Sequence, residues 1–457
     1  MRDLMMFAAV ACLIPLSMMS ATVAYLVWGW TALLAPVYYL YGFMQSFRFN
    51  FAFAIIAMGM LALGRMHERG VYRFNRTSLL LVVFVLHASV AVALAYQPNP
   101  SNMTLYIELL KLMTFCLLMP FFINNRTRIH AMMLMIAIGL GFHGVVEGLK
   151  VLASGGGHRV DGIPMSKMSD NNQFAVGMVM ALPVLLYLYQ YLRNRWASLA
   201  AMGGLILTVI AVLGTNSRGG FISMAVVGLW LVMTSRRKFL SLFVVLLAGG
   251  LILMVAPDTW FSRMDTIDSA GQDGSFMGRV FAWKISSAIA LQNPIFGGGL
   301  RAQQVYWVFE KFKDAPSLIS IAPEFAVSYA VAAHSIYFEV LGDMGFMGLF
   351  IFLAIIGNAV ITRFEIKRLV RTLGVEYMWA RDMTDMLTVA VVAYAVGGAA
   401  VSLAYFEIFY MIAMLQEILK QHLRSAVAAE RKIAAAQPAP VLPAGASGPQ
   451  PETAAAG

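Results

Sequence analysis

The feature that most constrains this chain is the recurrence, along most of its length, of apolar runs near or above about 18 residues. Runs of this kind are read as helices crossing a bilayer, because backbone N–H and C=O groups in hydrocarbon must be satisfied within the spanning segment. The chain is 60 % apolar and 12 % charged, against roughly a quarter charged in a soluble domain. Its net charge of +10 does not point to nucleic acid: the cations sit in short segments between apolar runs, the orientation signal of the positive-inside rule. Cys12 and Cys116 both fall inside apolar runs, so neither a disulfide framework nor metal-type cysteine spacing is present. The opening Met1-Arg2-Asp3 leads into apolar sequence without a small-residue cleavage site, and no cleavable signal is expected.

Three short runs open the chain, at about 4–20, 22–41 and 50–64, the first two interrupted by Pro15 and Pro36. The segment 65–76 follows, with four arginines against one glutamate. Further runs lie at 78–96, 103–123, 130–153, 172–192, 197–214, 221–234, 239–256, 335–361, 384–403 and 405–419, and their connections alternate between strongly basic and weakly charged. The pattern predicts an all-α polytopic membrane protein with about twelve transmembrane helices. Ten crossings run from Ser78 onward with both ends cytoplasmic, and the opening runs supply two more, one of them partial or strongly tilted. Three full opening crossings, with the N-terminus outside, is the competing count. Residues 1–432 form this transmembrane unit. The one long hydrophilic interruption, 257–333, is expected to be a large non-cytoplasmic loop containing helices. The tail 433–457, with nine alanines and five prolines, is expected to be a disordered cytoplasmic end.

Polar residues of interest gather on the weakly charged face. The loop 154–173 supplies Arg159 and Lys167, then Asp170-Asn171-Asn172, a triplet suited to capping the next helix; a cap in a solvated loop and ligand contact are equally good readings. Arg218, in the turn Ser217-Arg218-Gly219-Gly220, is a lone arginine on the arginine-poor side. It reads as a fixed cation for a phosphate, slightly ahead of a side chain snorkelling to lipid headgroups. In the long loop, 276–292 has helical spacing, with Ser275 as cap and Asn293-Pro294 as terminator. Its Arg279 and Trp283 share a face, either as a stacked pair or with the arginine on a diphosphate. Gly297-Gly298-Gly299, ahead of Arg301, reads as a flexible loop, or less strongly as a backbone nest for an oxyanion. His334 borders the long loop where the chain re-enters apolar sequence, and is the candidate general base; a lone interfacial histidine is the competing reading. Glu339 and Asp343 share one helix face beyond it, Asp343 beside glycines that suit helix packing. His87, His143 and Glu407, with the pairs Glu108–Lys111 and Glu147–Lys150, are read as structural first.

In this order the residues resemble a known family. Arg159 to Asn172, Ser217-Arg218-Gly219, Arg279, Asn293-Pro294 with its glycines, and His334-Ser335-Ile336-Tyr337 through Gly345 look like the O-antigen ligase superfamily, over about residues 150 to 360. That superfamily takes in O-antigen ligases, O-antigen polymerases and bacterial protein O-oligosaccharyltransferases. The N-terminal Met1-Arg2-Asp3 and Tyr41-Gly42-Phe43 resemble putative O-glycosylation ligases associated with exosortase systems. One departure is Asp170-Asn171-Asn172, where the family more often has Asp-Pro-Asn.

The resemblance implies a GT-C-like, metal-independent inverting glycosyltransferase in the bacterial inner membrane, working on the periplasmic side without a cofactor. The donor would be a glycan on undecaprenyl diphosphate, and the acceptor a lipid A-core hydroxyl or a pilin-like protein. His334 matches the family's loop histidine, and Arg218 and Arg279 its essential-type arginines; Arg159 matches less securely. Arg218 and Arg279 would hold the diphosphate with Arg159 or Arg301 assisting, while Lys167, Asn172 and Tyr337 would contact substrate. Protein O-oligosaccharyltransferase and O-antigen polymerase are the nearest alternatives. A lipid-linked saccharide transporter is the rival from another class; it would place its cations along a central cavity rather than at one face.

Overall fold

A computed structural model of the chain describes residues 1–64, 73–164, 166–235, 237–255, 274–321 and 327–436. Most of the basic segment 65–76, the parts 256–273 and 322–326 of the long loop, and the tail from 437 lie outside the described residues. Among the described residues the main helices are α1 (Arg2–Met19), α2 (Ala21–Leu34), α3 (Phe49–Ala62), α4 (Arg76–Ala93), α5 (Pro100–Phe122), α6 (Arg126–Ala153), α7 (Asn171–Tyr191) and α8 (Arg195–Gly214). They continue with α9 (Arg218–Thr234), α10 (Lys238–Val255), α11 (Gly274–Gln292), α12 (Tyr306–Phe312), α13 (Ile336–Leu373), α14 (Met378–Gly397) and α15 (Glu407–Ala436). Eight helices among the described residues are long and apolar enough to cross a membrane. The molecule is a polytopic, all-helical membrane protein. Exposed Leu79, Leu86, Leu229 and Phe243 lie on the outer faces of α4, α9 and α10, where lipid rather than water suits them.

Helix starts follow a simple rule of sequence. Ser20, Asn75, Asn99, Asn125, Asp170, Asn194 and Ser217 each precede an apolar run, and each side chain accepts from a backbone N–H of the first turn. Such caps are worth about 1 kcal/mol apiece.

Several boundaries differ from the sequence reading. Pro15 does not interrupt the first helix, which runs through it to Met19. Pro36 stands just past the end of α2, where Ala35 turns left-handed with φ 45°, leaving a helix of only 14 residues. The segment 363–382 is not a loop along its length, because α13 continues to Leu373. Arg363 and Lys367 lie on that helix and both reach Asp385 of α14, at 2.5 and 3.0 Å; the paired carboxylate is what lets the helix keep its basic end among neighbours. The last helix extends to Ala436, past the predicted start of the tail.

Small residues bring helices together. Gly144 and Gly148, one turn apart on α6, face Thr208 and the carbonyl of Leu207 on α8, with no room for a Cβ, the close approach by which helices associate in lipid. A different glycine device shapes α13. Gly345 has φ 67° and breaks the helix into two segments. The glycine run 297–299 inserts at that break: Gly298 N–H donates to Gly342 O at 2.9 Å, Gly299 N–H to Asp343 O at 3.0 Å, and Phe346 N–H to Pro294 O at 2.8 Å. His87 of α4 bonds the Met344 carbonyl at 3.0 Å, which satisfies an acceptor at the break.

Candidate functional site

The ends of the bundle are distinct. At one end Arg126 lies over Trp379, Tyr191 donates to Asp382, and Arg76 and Lys420 meet Glu365. At the other end several connections converge on His334.

The convergence begins with caps. The carboxylate of Asp170 accepts from the N–H groups of Asn172 and Gln173 at 2.8 and 3.3 Å. Asn172 Oδ1 accepts from the Ser217 hydroxyl at 2.8 Å, and Asn171 Nδ2 donates to Thr215 O at 2.9 Å. Ser217 itself caps α9 by accepting from Gly220 N–H at 3.1 Å, and Arg218 is the first residue of that helix. The first turn of α7 is thus bonded, through Asn172, to the cap of α9, which fixes the turn carrying Arg218.

From α7 the network passes to His334. Gln173 Nε2 donates to the Ser402 carbonyl at 2.9 Å, and the Ser402 hydroxyl accepts from His334 N–H at 2.8 Å. His334 has φ 44°, a left-handed conformation that costs a residue with a Cβ on the order of 1 kcal/mol and tends to mark functional sites. Trp283 on α11 supports it from the other side: its Nε1 donates to Ala333 O at 2.7 Å, and its ring stacks on Phe338 at 5.1 Å. Burial holds the His334 imidazole below the ordinary histidine range, and the positive charge of Arg279 pushes the same way; Asp170 opposes both. Among the described residues neither ring nitrogen of His334 makes a hydrogen bond. His334 therefore lies within the fields of Arg279 and Asp170, and Asn172 ties the first turn of α7 to the turn carrying Arg218.

The other candidates are placed differently. Lys167 donates to Tyr405 O at 3.0 Å and lies 3.5 Å from Glu108 and 3.7 Å from Glu407, so Glu108 faces Lys167 and not Lys111 as its spacing suggested. Arg301 is left-handed at φ 55°, and its N–H donates to Asp343 Oδ1 at 2.7 Å while Tyr405 donates to Oδ2 at 2.7 Å. Lys167 and Arg301 line a cavity of about 80 Å³ with Gln173, Glu339 and Ser402. Tyr337 donates to Ala395 O at 2.7 Å. Arg159 pairs with Asp161 at 3.1 Å in an exposed position. The glycine run is neither a nest nor a loose loop, because the N–H groups of Gly297, Gly298 and Gly299 are all spent on backbone carbonyls. The expected Glu147–Lys150 pair is present at 2.7 Å, and Glu147 also binds His158 at 2.8 Å.

Two residues that sequence reasoning passed over belong to the convergence, Gln173 and Ser402. Ser402 lies in the irregular linker between α14 and α15, and Gly397-Gly398 just before it is the signal that the apolar run ends there.

A model for a family of unknown function (DUF5935) matches residues 1–193, and the O-antigen ligase family model matches residues 203–353. No curated protein matches the chain. The stretch that the O-antigen ligase family model matches, residues 203–353, holds Arg218, Arg279, Arg301 and His334, so this part of the chain is similar to that family.

Proposed function

We propose that the chain transfers a glycan from undecaprenyl diphosphate to a hydroxyl of lipid A-core at the end of the bundle where His334 lies. The observation that carries the reading is His334 itself: held left-handed by Ser402, its imidazole unbonded among the described residues, and within the fields of Arg279 and Asp170. His334 removes the proton of the acceptor hydroxyl as that oxygen attacks the anomeric carbon. The bond from the anomeric carbon to the phosphate oxygen breaks, and undecaprenyl diphosphate leaves with the electron pair, inverting the configuration. Arg218 and Arg279 offset the charge growing on the leaving group, a task suited to the fixed charge and fork geometry of guanidinium. A larger apolar cavity of about 280 Å³, lined by Val92, Met103 and Leu300, offers lipid contact next to Arg301.

The basic ends of α4, α6, α8 and α10 lie opposite His334, so the positive-inside bias supports a non-cytoplasmic site and a cytoplasmic C-terminus. The apolar runs support about twelve crossings, and the resemblance to O-antigen ligases supports a GT-C-like arrangement facing the periplasm in the bacterial inner membrane. The test supplies membranes with a labelled lipid-linked glycan and follows the label. Transfer to lipid A-core, lost in His334→Ala and in Arg279→Ala, is expected. Normal transfer in both variants would sink the assignment, and label on a protein or a growing glycan would move the acceptor to those classes.

A further inference from the structure

The cavity beside His334 is chemically unlike a diphosphate site. Its two cations are already faced by carboxylates: Lys167 by Glu108 and Glu407, and Arg301 by Glu339 and Asp343, both of which lie within its field. Of these carboxyl groups only Glu339 lines the cavity, and a doubly charged anion placed here would have to compete with them for the same two cations. Among the described residues, the cavity holds polar groups without partners on both the acceptor and the donor side. Gln173 Oε1 is buried with no hydrogen-bond partner. Glu339, 5 % exposed, accepts one bond, from Ala404 N–H to Oε2 at 3.0 Å. On the donor side, the Arg301 guanidinium has no hydrogen bond among the described residues. A buried polar group without a partner costs on the order of 1–3 kcal/mol, so a ligand that both gives and takes hydrogen bonds is favoured over an ion.

We propose that this cavity is a subsite for the hydroxyl edge of a neutral sugar, with Gln173 and Glu339 accepting from adjacent hydroxyls and Arg301 donating to them. Its volume of about 80 Å³ admits one edge of a pyranose rather than a whole ring. Ser402 joins the subsite to the base, since it lines the cavity and its hydroxyl holds His334 N–H. A sugar seated here lies next to the reacting centre, as the ring of the donor or of the acceptor. The inference rests on the transfer reading above, and it assigns Arg301 to sugar and not to diphosphate.

The test uses the full-length protein in lipid nanodiscs and saturation-transfer NMR. The probes are the methyl pyranosides of glucose, galactose, mannose and N-acetylglucosamine, and separately inorganic pyrophosphate. A pyranoside signal is expected in the parent protein, weakened about ten-fold in Glu339→Gln and in Gln173→Leu, the loss of one hydrogen bond to a charged or buried group. Glu339→Gln keeps an oxygen for Ala404 N–H, so its thermal midpoint serves as the folding control. The pyrophosphate signal is expected to be unchanged in both variants and to fall in Arg279→Ala. No pyranoside signal, or an unchanged one in both variants, overturns the subsite, as does loss of pyrophosphate binding in Arg301→Gln. If Arg279→Ala leaves pyrophosphate binding intact, the donor assignment fails while the sugar subsite stands. In transfer assays, a raised KM of Glu339→Gln for the lipid-linked donor or for the acceptor supports the subsite and says which ring it holds; no change in either overturns it.

Discussion

The backbone N–H of His334 donates to the hydroxyl of Ser402 at 2.8 Å across 68 positions of sequence. That bond fastens a left-handed residue at the mouth of α13 to the linker between α14 and α15, so the imidazole is placed by a neighbour that itself performs no chemistry.

Ser402→Ala removes the acceptor and leaves a part-buried N–H unsatisfied, at about 1–3 kcal/mol. Transfer in membranes is expected to fall about ten-fold or more, with Ser402→Thr restoring most of it because the hydroxyl returns. Equal rates for the alanine and threonine variants would show that the bond does not matter.

The pH profile tests the charges around His334. A base must be neutral to act, and burial with Arg279 holds its pKa below the ordinary 6.5. The acid limb of kcat/KM should therefore lie below pH 6.5, with activity lost as pH falls through it. Arg279→Gln removes a positive neighbour and should move the limb up; Asp170→Asn removes a negative one and should move it down. Shifts of the same sign in both variants would contradict the arrangement.

Gly297→Ala and Gly345→Ala each place a methyl at positive φ, with the new Cβ about 2.5 and 2.6 Å from backbone atoms of the other segment. Overpacking of this kind costs about 1–3 kcal/mol or more, before the backbone strain is added. Thermal unfolding in detergent should show both variants well below the parent, while Gly357→Ala, which meets nothing within 4 Å, should stay close to it.

Arg279→Lys keeps the charge near His334 and discards the fork. If diphosphate is held bidentately, this variant should lose about ten-fold or more in transfer, and EDTA should leave the parent rate intact. Full activity of the lysine variant would mean that charge alone suffices.

The helical layout was largely legible because lipid enforces it. Apolar runs with Ser, Asn or Asp ahead of them gave most helix starts, and the turn around Arg218 fell where Ser217 caps α9. What sequence could not supply was partners across long separations. Glu108 and Lys111 have the spacing of a pair, yet tertiary packing turned Glu108 toward Lys167 in a distant loop. Three adjacent glycines invite an anion-binding reading, and only the break at Gly345 explains why their N–H groups are already taken. Ser402 carried no motif at all; a single serine in an apolar linker gains meaning only from the residue above it.

The shortness of α2 and α3, 14 residues each, has a mechanical consequence. At 1.5 Å per residue each reaches about 21 Å, against about 30 Å of hydrocarbon. Were both to cross, a bilayer meeting that flank would relieve the mismatch by drawing its two headgroup layers together, a dimple in the membrane around the N-terminal pair. Tyr41 and Phe43, both exposed in the turn that joins the pair, are the amphipathic and apolar rings that settle at such a lowered interface.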